Sequence, residues 1–450
     1  MLAPEEKLKL SPKPYLAATR RFADGSDSPR EFLERCLAII SELEPKIGAF
    51  VQLDAEGARA AADCATARWR EGRPLSRIDG MPIGIKDIIE TIDMPTQNGS
   101  PLYAGWHSGR DGASVAALRE AGAVIMGKTV TTEFAATEPR GTRNPHDLRR
   151  TPGGSSSGSA AGVAAGMMSA GLGTQVIGST IRPASYSGCV GFKVSVGALN
   201  RGGSFDGLSQ SVSGVLATTL EDAWQVACEI AARAGGDPGY PGLYGPSSAP
   251  EARKPRRVAF LETAGWQAAT PGARNAISDA LARVKTAGIE VLSRHSHPKL
   301  AGVETAILQA RELSMRINAW EWRWPLNTYR NRDASMLSRA LLDRLTEAEA
   351  MTLDDYRADL AQREKDRALY AELATECEAC ISLSAPSAAP MGLHSTGDPN
   401  CTVHTSYLGI PSVSLPVLQD EGLPLGLQVT GFINGDAQAF AIATALAGLF

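Results

Sequence analysis

Long apolar runs are missing from this 450-residue chain, and so is an excess of charge of either sign. The longest weakly polar stretch, Gly158 to Gly173, is mostly alanine and glycine, with Ser159 and Ser169 inside it. It is too short and too glycine-broken for a bilayer crossing, which needs ~20 apolar residues. Forty-five lysines and arginines against 49 aspartates and glutamates leave a net charge of −4. That balance supplies no basic field for a polyanion, so nucleic-acid binding is not expected. Cysteine is sparse: seven residues, an odd number, sit at 36, 64, 189, 228, 377, 380 and 401 with no framework spacing. A reducing compartment fits that usage. The opening Met1-Leu-Ala-Pro-Glu-Glu-Lys-Leu-Lys lacks the apolar centre of a secretory signal. The expectation is a cytoplasmic protein with no membrane segment. Metal-ligand spacing is also wanting. Cys377-Glu-Ala-Cys380 is a lone pair, and His295-Ser-His297 reads as a solvated turn.

What is present is an ordinary globular composition, 43% hydrophobic and 21% charged. Ser28-Pro29 followed by Phe32, Cys36, Ile39 and Leu43 predicts a helix capped by Ser28 with proline in its first turn. An alanine-rich helix follows over about 55–69. Gly80 to Asp87 then alternates. Met81, Ile83 and Ile85 take one face, while Pro82, Gly84 and Lys86 leave the other bare apart from a single amine. Further strands are predicted over 123–128, 257–262, 289–292, 380–384, 411–417 and 425–430, with helices over 272–287 and 437–447. Strands alternating with helices predict an α/β fold with a largely parallel or mixed sheet. Residues 236–256, rich in proline, glycine and serine, read as a surface connection. The charged stretch 300–376 reads as a helical insertion bordering a cleft.

Chemistry concentrates in two small-residue segments. One runs Thr151-Pro-Gly153-Gly154-Ser155-Ser156-Ser157-Gly158-Ser159, the other Gly173-Thr174-Gln175-Val176-Ile177-Gly178-Ser179-Thr180-Ile181-Arg182-Pro183. Taken alone, such stretches are surface linkers. Here they flank core-compatible sequence ending in Leu172 and are followed by Val190-Gly-Phe192. No lysine follows Gly158, so a P-loop is excluded, and the spacing of a dinucleotide fingerprint is absent. A nucleophile elbow, G-x-S-x-G, is met by Gly154–Gly158 around Ser156. That reading, an α/β-hydrolase-type esterase, would draw its histidine from His295, His297, His394 or His404.

Taken together, these segments resemble the amidase signature family. Lys86 in Gly84-Ile-Lys-Asp87, both serine turns, Gly127-Lys-Thr, Glu133-Phe-Ala135 and Ser187-Gly-Cys-Val-Gly-Phe-Lys193 carry the likeness. So does the tail from Thr396-Gly-Asp-Pro399 to Gln428. The resemblance covers most of 28–235 and 380–450, leaves about 240–375 uncovered, and makes the expected α/β fold a single large domain with a mixed central sheet surrounded by helices. It implies a Ser–cis-Ser–Lys triad with Ser179 as nucleophile, Ser155 as bridging serine after a cis Gly154–Ser155 bond, and Lys86 as base. The two serines stand 24 residues apart, the family's own spacing. It also implies an oxyanion hole from the backbone N–H groups of Val176, Ile177, Gly178 and Ser179, with no metal and no cofactor. A serine hydroxyl is a weak nucleophile until a base takes its proton, so Lys86 has to be neutral.

The spelling G-T-Q with Arg182 three residues after the nucleophile resembles malonamidase-like members, in which this arginine receives a substrate carboxylate. Bracing of the loop by Arg182 is the even alternative. Thr174 and Gln175 are expected to brace the nucleophile turn. Ile177, where the family has a small or polar residue, would narrow the pocket. Trp320, Trp322 and Trp324 are expected in the core or as a lid over an acyl pocket. The implied activity is hydrolysis of a small or aryl amide, with carbamates and esters chemically accessible and water as co-substrate. The same motifs occur in the amidotransferase subunit that amidates charged tRNA, which would require partner subunits and ATP. A non-enzymatic binding module is the remaining class.

Overall fold

A computed structural model describes residues 8–136 and 138–450; Met1–Lys7, on which the reading of the leader rests, lie outside it. Among the described residues the strands are β1 (Phe50–Leu53), β2 (Pro82–Lys86), β3 (Val124–Thr129), β4 (Ala170–Gln175), β5 (Val190–Lys193) and β6 (Val212–Ala217). They continue with β7 (Arg257–Phe260), β8 (Glu290–Leu292), β9 (Ala379–Leu383), β10 (Ser412–Asp420) and β11 (Leu423–Thr430). All belong to one sheet in the order β1-β3-β2-β4-β6-β5-β10-β11-β9-β7-β8. The β2–β3, β2–β4, β7–β8 and β7–β9 pairs are parallel, and the rest antiparallel. The fold is therefore a single α/β domain with a mixed sheet wrapped by helices.

The first helix with a predicted cap spans Pro29–Ile47, and Ser28 Oγ accepts from Glu31 N at 3.2 Å. It outlasts the predicted apolar stripe by one turn and stops at Gly48, whose φ of 65° suits glycine. The alternating segment becomes β2, but its second face is not bare: every residue from Pro82 to Lys86 is buried. The helix Ser157–Ala165 and Met168 cover it, and a Cβ on Gly84 would meet Met168 Sδ at 2.5 Å. Small residues thus let a helix lie directly on the strand that carries the amine. The same device operates at Gly158, where a Cβ would collide with the backbone of Ala49 and Val130.

No strand interrupts 300–376. The helices Pro298–Ile307, Ala310–Asp333, Arg339–Ala350 and Leu353–Ala371 occupy it. Phe134 stacks on Tyr329 with centroids 4.4 Å apart, and the Glu133 carboxylate accepts from Ser338 N at 3.3 Å. These contacts fasten the helices to the Glu133–Ala135 segment. The three tryptophans do not act together, because residues two apart on a helix face nearly opposite ways. Trp322 is buried with Leu326, Leu341 and Leu345; Trp320 stacks on Tyr356; Trp324 is 77% exposed. Among the described residues no helix is long and apolar enough to cross a membrane.

Two glycine substitutions test this packing in opposite directions. Gly158→Ala should lower the thermal unfolding temperature, at a cost of about 1–3 kcal/mol from overpacking against backbone that cannot move aside. Gly302→Ala, in an exposed helical turn where a Cβ meets nothing within 4 Å, should stabilise by up to about 1 kcal/mol. A Gly158→Ala protein melting at or above the parent would mean the contact between helix and sheet is slack.

Candidate active site

Lys86 ends β2 wholly buried beneath the two serine turns. Its Nζ lies 2.7 Å from Ser155 Oγ and 2.8 Å from Thr174 Oγ1. Burial pulls the lysine down to about 7, opposed in part by the negative charge of Asp206. The carboxylate next to it in sequence gives no help, because it is held elsewhere. Asp87 Oδ1 accepts from Gln97 N at 3.1 Å and lies 3.4 Å from Lys128 Nζ. Lys128 in turn donates to Ile89 O and Thr96 Oγ1, each at 2.7 Å. One buried lysine is thus matched to the carboxylate, and the other is left with hydroxyls alone.

Ser155 follows a cis peptide bond from Gly154, and Gly153 turns the chain with φ of 83°. Its neighbour Ser156 heads the helix Ser157–Ala165, and its N–H donates to Ser179 O at 3.3 Å. The two serine turns are therefore in direct contact. Ser156 Oγ is fully buried and lies 3.4 Å from both Thr174 O and Thr174 N.

The second turn leaves the end of β4 and enters the helix Ile181–Ser187. Gln175 clamps it: Oε1 accepts from Thr180 N at 3.0 Å and Ile181 N at 3.1 Å, while Nε2 reaches Thr405 and Ser406. The carbonyls of the turn are also engaged. Gln210 Nε2 donates to Val176 O at 3.0 Å, Thr402 Oγ1 lies 3.4 Å from Ile177 O, and Arg182 N donates to Gly178 O at 3.0 Å. The N–H groups of Val176, Ile177, Gly178 and Ser179 have no acceptor among the described residues, and neither has the Ser179 hydroxyl. A turn with its oxygens pinned and four consecutive donors unspent has the make-up of an oxyanion site.

A cavity of about 300 Å³ opens against these donors. Val176, Ile177, Gly178 and Ser179 form one wall; Leu208, Met315 and Trp322 supply apolar surface opposite. Lys86 and Ser155 are not among the lining residues, so Ser179 alone of the three faces a ligand. Arg182 also lines the cavity; its two terminal nitrogens hold the loops, while its Nε is buried without a partner. Nη1 donates to Gly397 O at 3.0 Å, and Nη2 to Gly154 O at 2.7 Å and Thr396 Oγ1 at 2.9 Å. Burial without a carboxylate partner lowers it to about 10.

Thr174 does more than the bracing expected of it, since its hydroxyl takes a hydrogen bond from Lys86. Asp206, Gln210 and Thr402 escape the sequence analysis because no local motif marks them. Each reaches the site only through tertiary packing. The Ser156 reading finds no partner: none of the histidines hydrogen-bonds Ser156 among the described residues. His404 is buried, pulled down to about 3 with neither ring nitrogen partnered, and His297 pairs with Glu376 at 3.3 Å. His394 lines the cavity. Cys377 and Cys380 are buried thiols, and no cluster of metal-ligating side chains occurs among the described residues.

Comparison with known proteins bears on the same features. A family described as Amidase matches residues 31–439. The glutamyl-tRNA(Gln) amidotransferase subunit of Chloroflexus aggregans is 43% identical over 213 residues, 46% of this chain and 44% of the relative. That of Chloroflexus aurantiacus is 31% identical over 92% of each chain. A solved amidase structure superposes with a TM-score of 0.84 at 26% identity, covering 97% of this chain and 99% of its own. With its motifs, sheet and serine turns set beside those relatives, the chain belongs to the amidase signature family.

Proposed function

We propose that the protein hydrolyses the carbon–nitrogen bond of a small amide through an acyl-enzyme on Ser179. The observation that carries this reading is the burial of Lys86 with its Nζ 2.7 Å from Ser155 Oγ and no carboxylate in ion-pair distance among the described residues. With the amine neutral, its lone pair can accept the Ser155 proton while Ser155 Oγ accepts the proton of Ser179. Ser179 Oγ bonds to the carbonyl carbon as its proton moves inward. The resulting oxyanion takes up the N–H groups of the 176–179 turn. The C–N bond breaks as the amine receives the relayed proton and leaves. Water then adds to the acyl-enzyme, losing a proton along the same path, and the acid departs with Ser179 restored.

The helices of 300–376 would determine which acyl groups enter, because Met315, Trp322 and Arg344 come from them. Carbamates and esters present the same carbonyl and belong to the accessible range. Service within a tRNA-dependent amidotransferase is favoured by the names of the curated relatives. It is separated from the hydrolase reading by one assay: the purified single chain should release amine from simple anilides without ATP or partners. Failure to do so across a chemically varied panel would favour the amidotransferase role.

Substitutions should rank in a definite order. Ser179→Ala should abolish turnover, and Lys86→Ala should cost on the order of 10²–10⁴ in kcat. Ser156→Ala should lose far less, because its hydroxyl only packs against Thr174. The reverse ranking would return the elbow mechanism to favour.

The pH profile follows from the sign of the lysine shift. Below about 7 the amine is protonated and cannot accept, so kcat/KM should rise with pH through an acid limb near 7. A profile flat across neutrality would contradict the assignment of Lys86 as base.

A further inference from the structure

We propose that the cavity selects amides carrying a carboxylate, which the Arg344 guanidinium receives; this rests on the acyl-transfer reading of the same site. Arg344 lies on the helix Arg339–Ala350 and lines the cavity that Ser179 faces. Its protein contacts are the Trp322 ring, 5.3 Å from the guanidinium carbon to the centroid, and Met315 Sδ at 3.9 Å. No carboxylate stands within ion-pair distance of it among the described residues. Arg316 and Arg330 on the neighbouring helices meet Asp359 at 2.9 Å and Glu349 at 2.8 Å, whereas Arg323 and Arg332 lie over the Trp320 and Tyr103 rings but do not line this cavity.

A guanidinium cannot shed its proton, so leaving it unpaired against a ring and a thioether is costly; Glu138 and Asp206 also line the cavity, but neither is within ion-pair distance of the guanidinium. Desolvation pulls its proton affinity downward, in keeping with that setting. An anionic ligand oxygen would remove the cost and gain a charge-assisted, two-pronged hydrogen bond away from bulk water. Arg311 lines the same cavity and reaches no acidic group nearer than Asp398 at 3.9 Å. Arg182, the arginine nearest Ser179 in sequence, is less suited to the task because both its terminal nitrogens already donate to Gly154, Gly397 and Thr396, leaving only Nε unpartnered. The cavity of about 300 Å³ bounds the spacing, since one molecule has to place its carbonyl at Ser179 and its anion at Arg344 together.

Binding and turnover separate this proposal from the reading beneath it. In a Ser179→Ala background, calorimetry compares succinic acid mono-p-nitroanilide with its methyl ester. A second pair compares N-butyrylglycine with N-propylbutyramide. The acid of one pair should bind about tenfold or more tighter than its neutral partner, the scale of a hydrogen bond to a charged group. The pair that shows the preference tells whether the anion sits on the acyl or the amine side. Adding Arg344→Gln should erase the preference, whereas Arg344→Lys should retain part of it at an unchanged unfolding temperature. Equal binding of acid and neutral compound in both pairs would overturn the proposal. So would a preference untouched by Arg344→Gln, or one lost equally in Arg344→Lys. Release of p-nitroaniline by the intact enzyme reports on the acyl-transfer reading independently of those outcomes.

Discussion

The centre of this molecule is built around one buried amine whose hydrogen-bond partners are hydroxyls. An ammonium buried among hydroxyls is expensive, and that burial pulls Lys86 down to about 7. The lowering depends on no carboxylate forming an ion pair with the amine, and two features keep the neighbouring groups away. Asp87, one residue on, is held by Gln97 N and by a second buried lysine, Lys128. The face above Lys86 carries a helix of glycine, alanine and serine with one valine, which brings no acid side chain. Asp206 is near enough to temper the shift and is not hydrogen-bonded to the lysine. The amine is therefore poised close to neutrality instead of being driven far below it.

That requirement explains the composition of the surrounding elements. Glycines at 84, 158, 171 and 173 stand where side chains would displace Met168, the Ala49 backbone, Ser159 or Ser156. Removing side chains costs backbone entropy, and the broad sheet with its large buried core offsets it. The 176–179 turn shows the complementary strategy. Its oxygens are bound by Gln210, Thr402 and the following helix, so its donors are all that remain to face the cavity. Rigidity on one side of a peptide plane becomes unspent polarity on the other.

How much of this is legible in the sequence depends on whether the information is local. The capped helix after Ser28 is readable because Ser-Pro and the apolar stripe fall within a few turns. So is β2, through the alternation of Met81, Ile83 and Ile85. The strand β4 is not: Ala-Gly-Leu-Gly-Thr-Gln has weak strand propensity and forms a strand only because both neighbours pair with it. The strands β1, β5 and β6 are likewise invisible as ladders, being short or glycine-interrupted. Lys86, Ser155 and Ser179 stand out through the resemblance of their motifs. Thr174 as a partner of the lysine, Asp206 at the cavity wall and the occupied fork of Arg182 need coordinates. Helical character between 300 and 376 is apparent from composition, yet which side of each helix meets the cavity is not. Tryptophans 320, 322 and 324 show why, since three neighbours in sequence end up stacked, buried and exposed.

The sheet order also has a consequence for biosynthesis. Strands β10 and β11 lie between β5 and β9, so they join the block β1–β6 to the block β7–β9. Gln175 leans on Thr405 and Ser406 from the same late stretch. A nascent chain emerging from the ribosome therefore carries two unfinished edges until residues beyond 411 are out, a state prone to mispairing. Its nucleophile turn gains its final support only then. A polypeptide stalled before residue 405 therefore holds Lys86, Ser155 and Ser179 but lacks the Thr405 and Ser406 contacts that brace the 176–179 turn through Gln175.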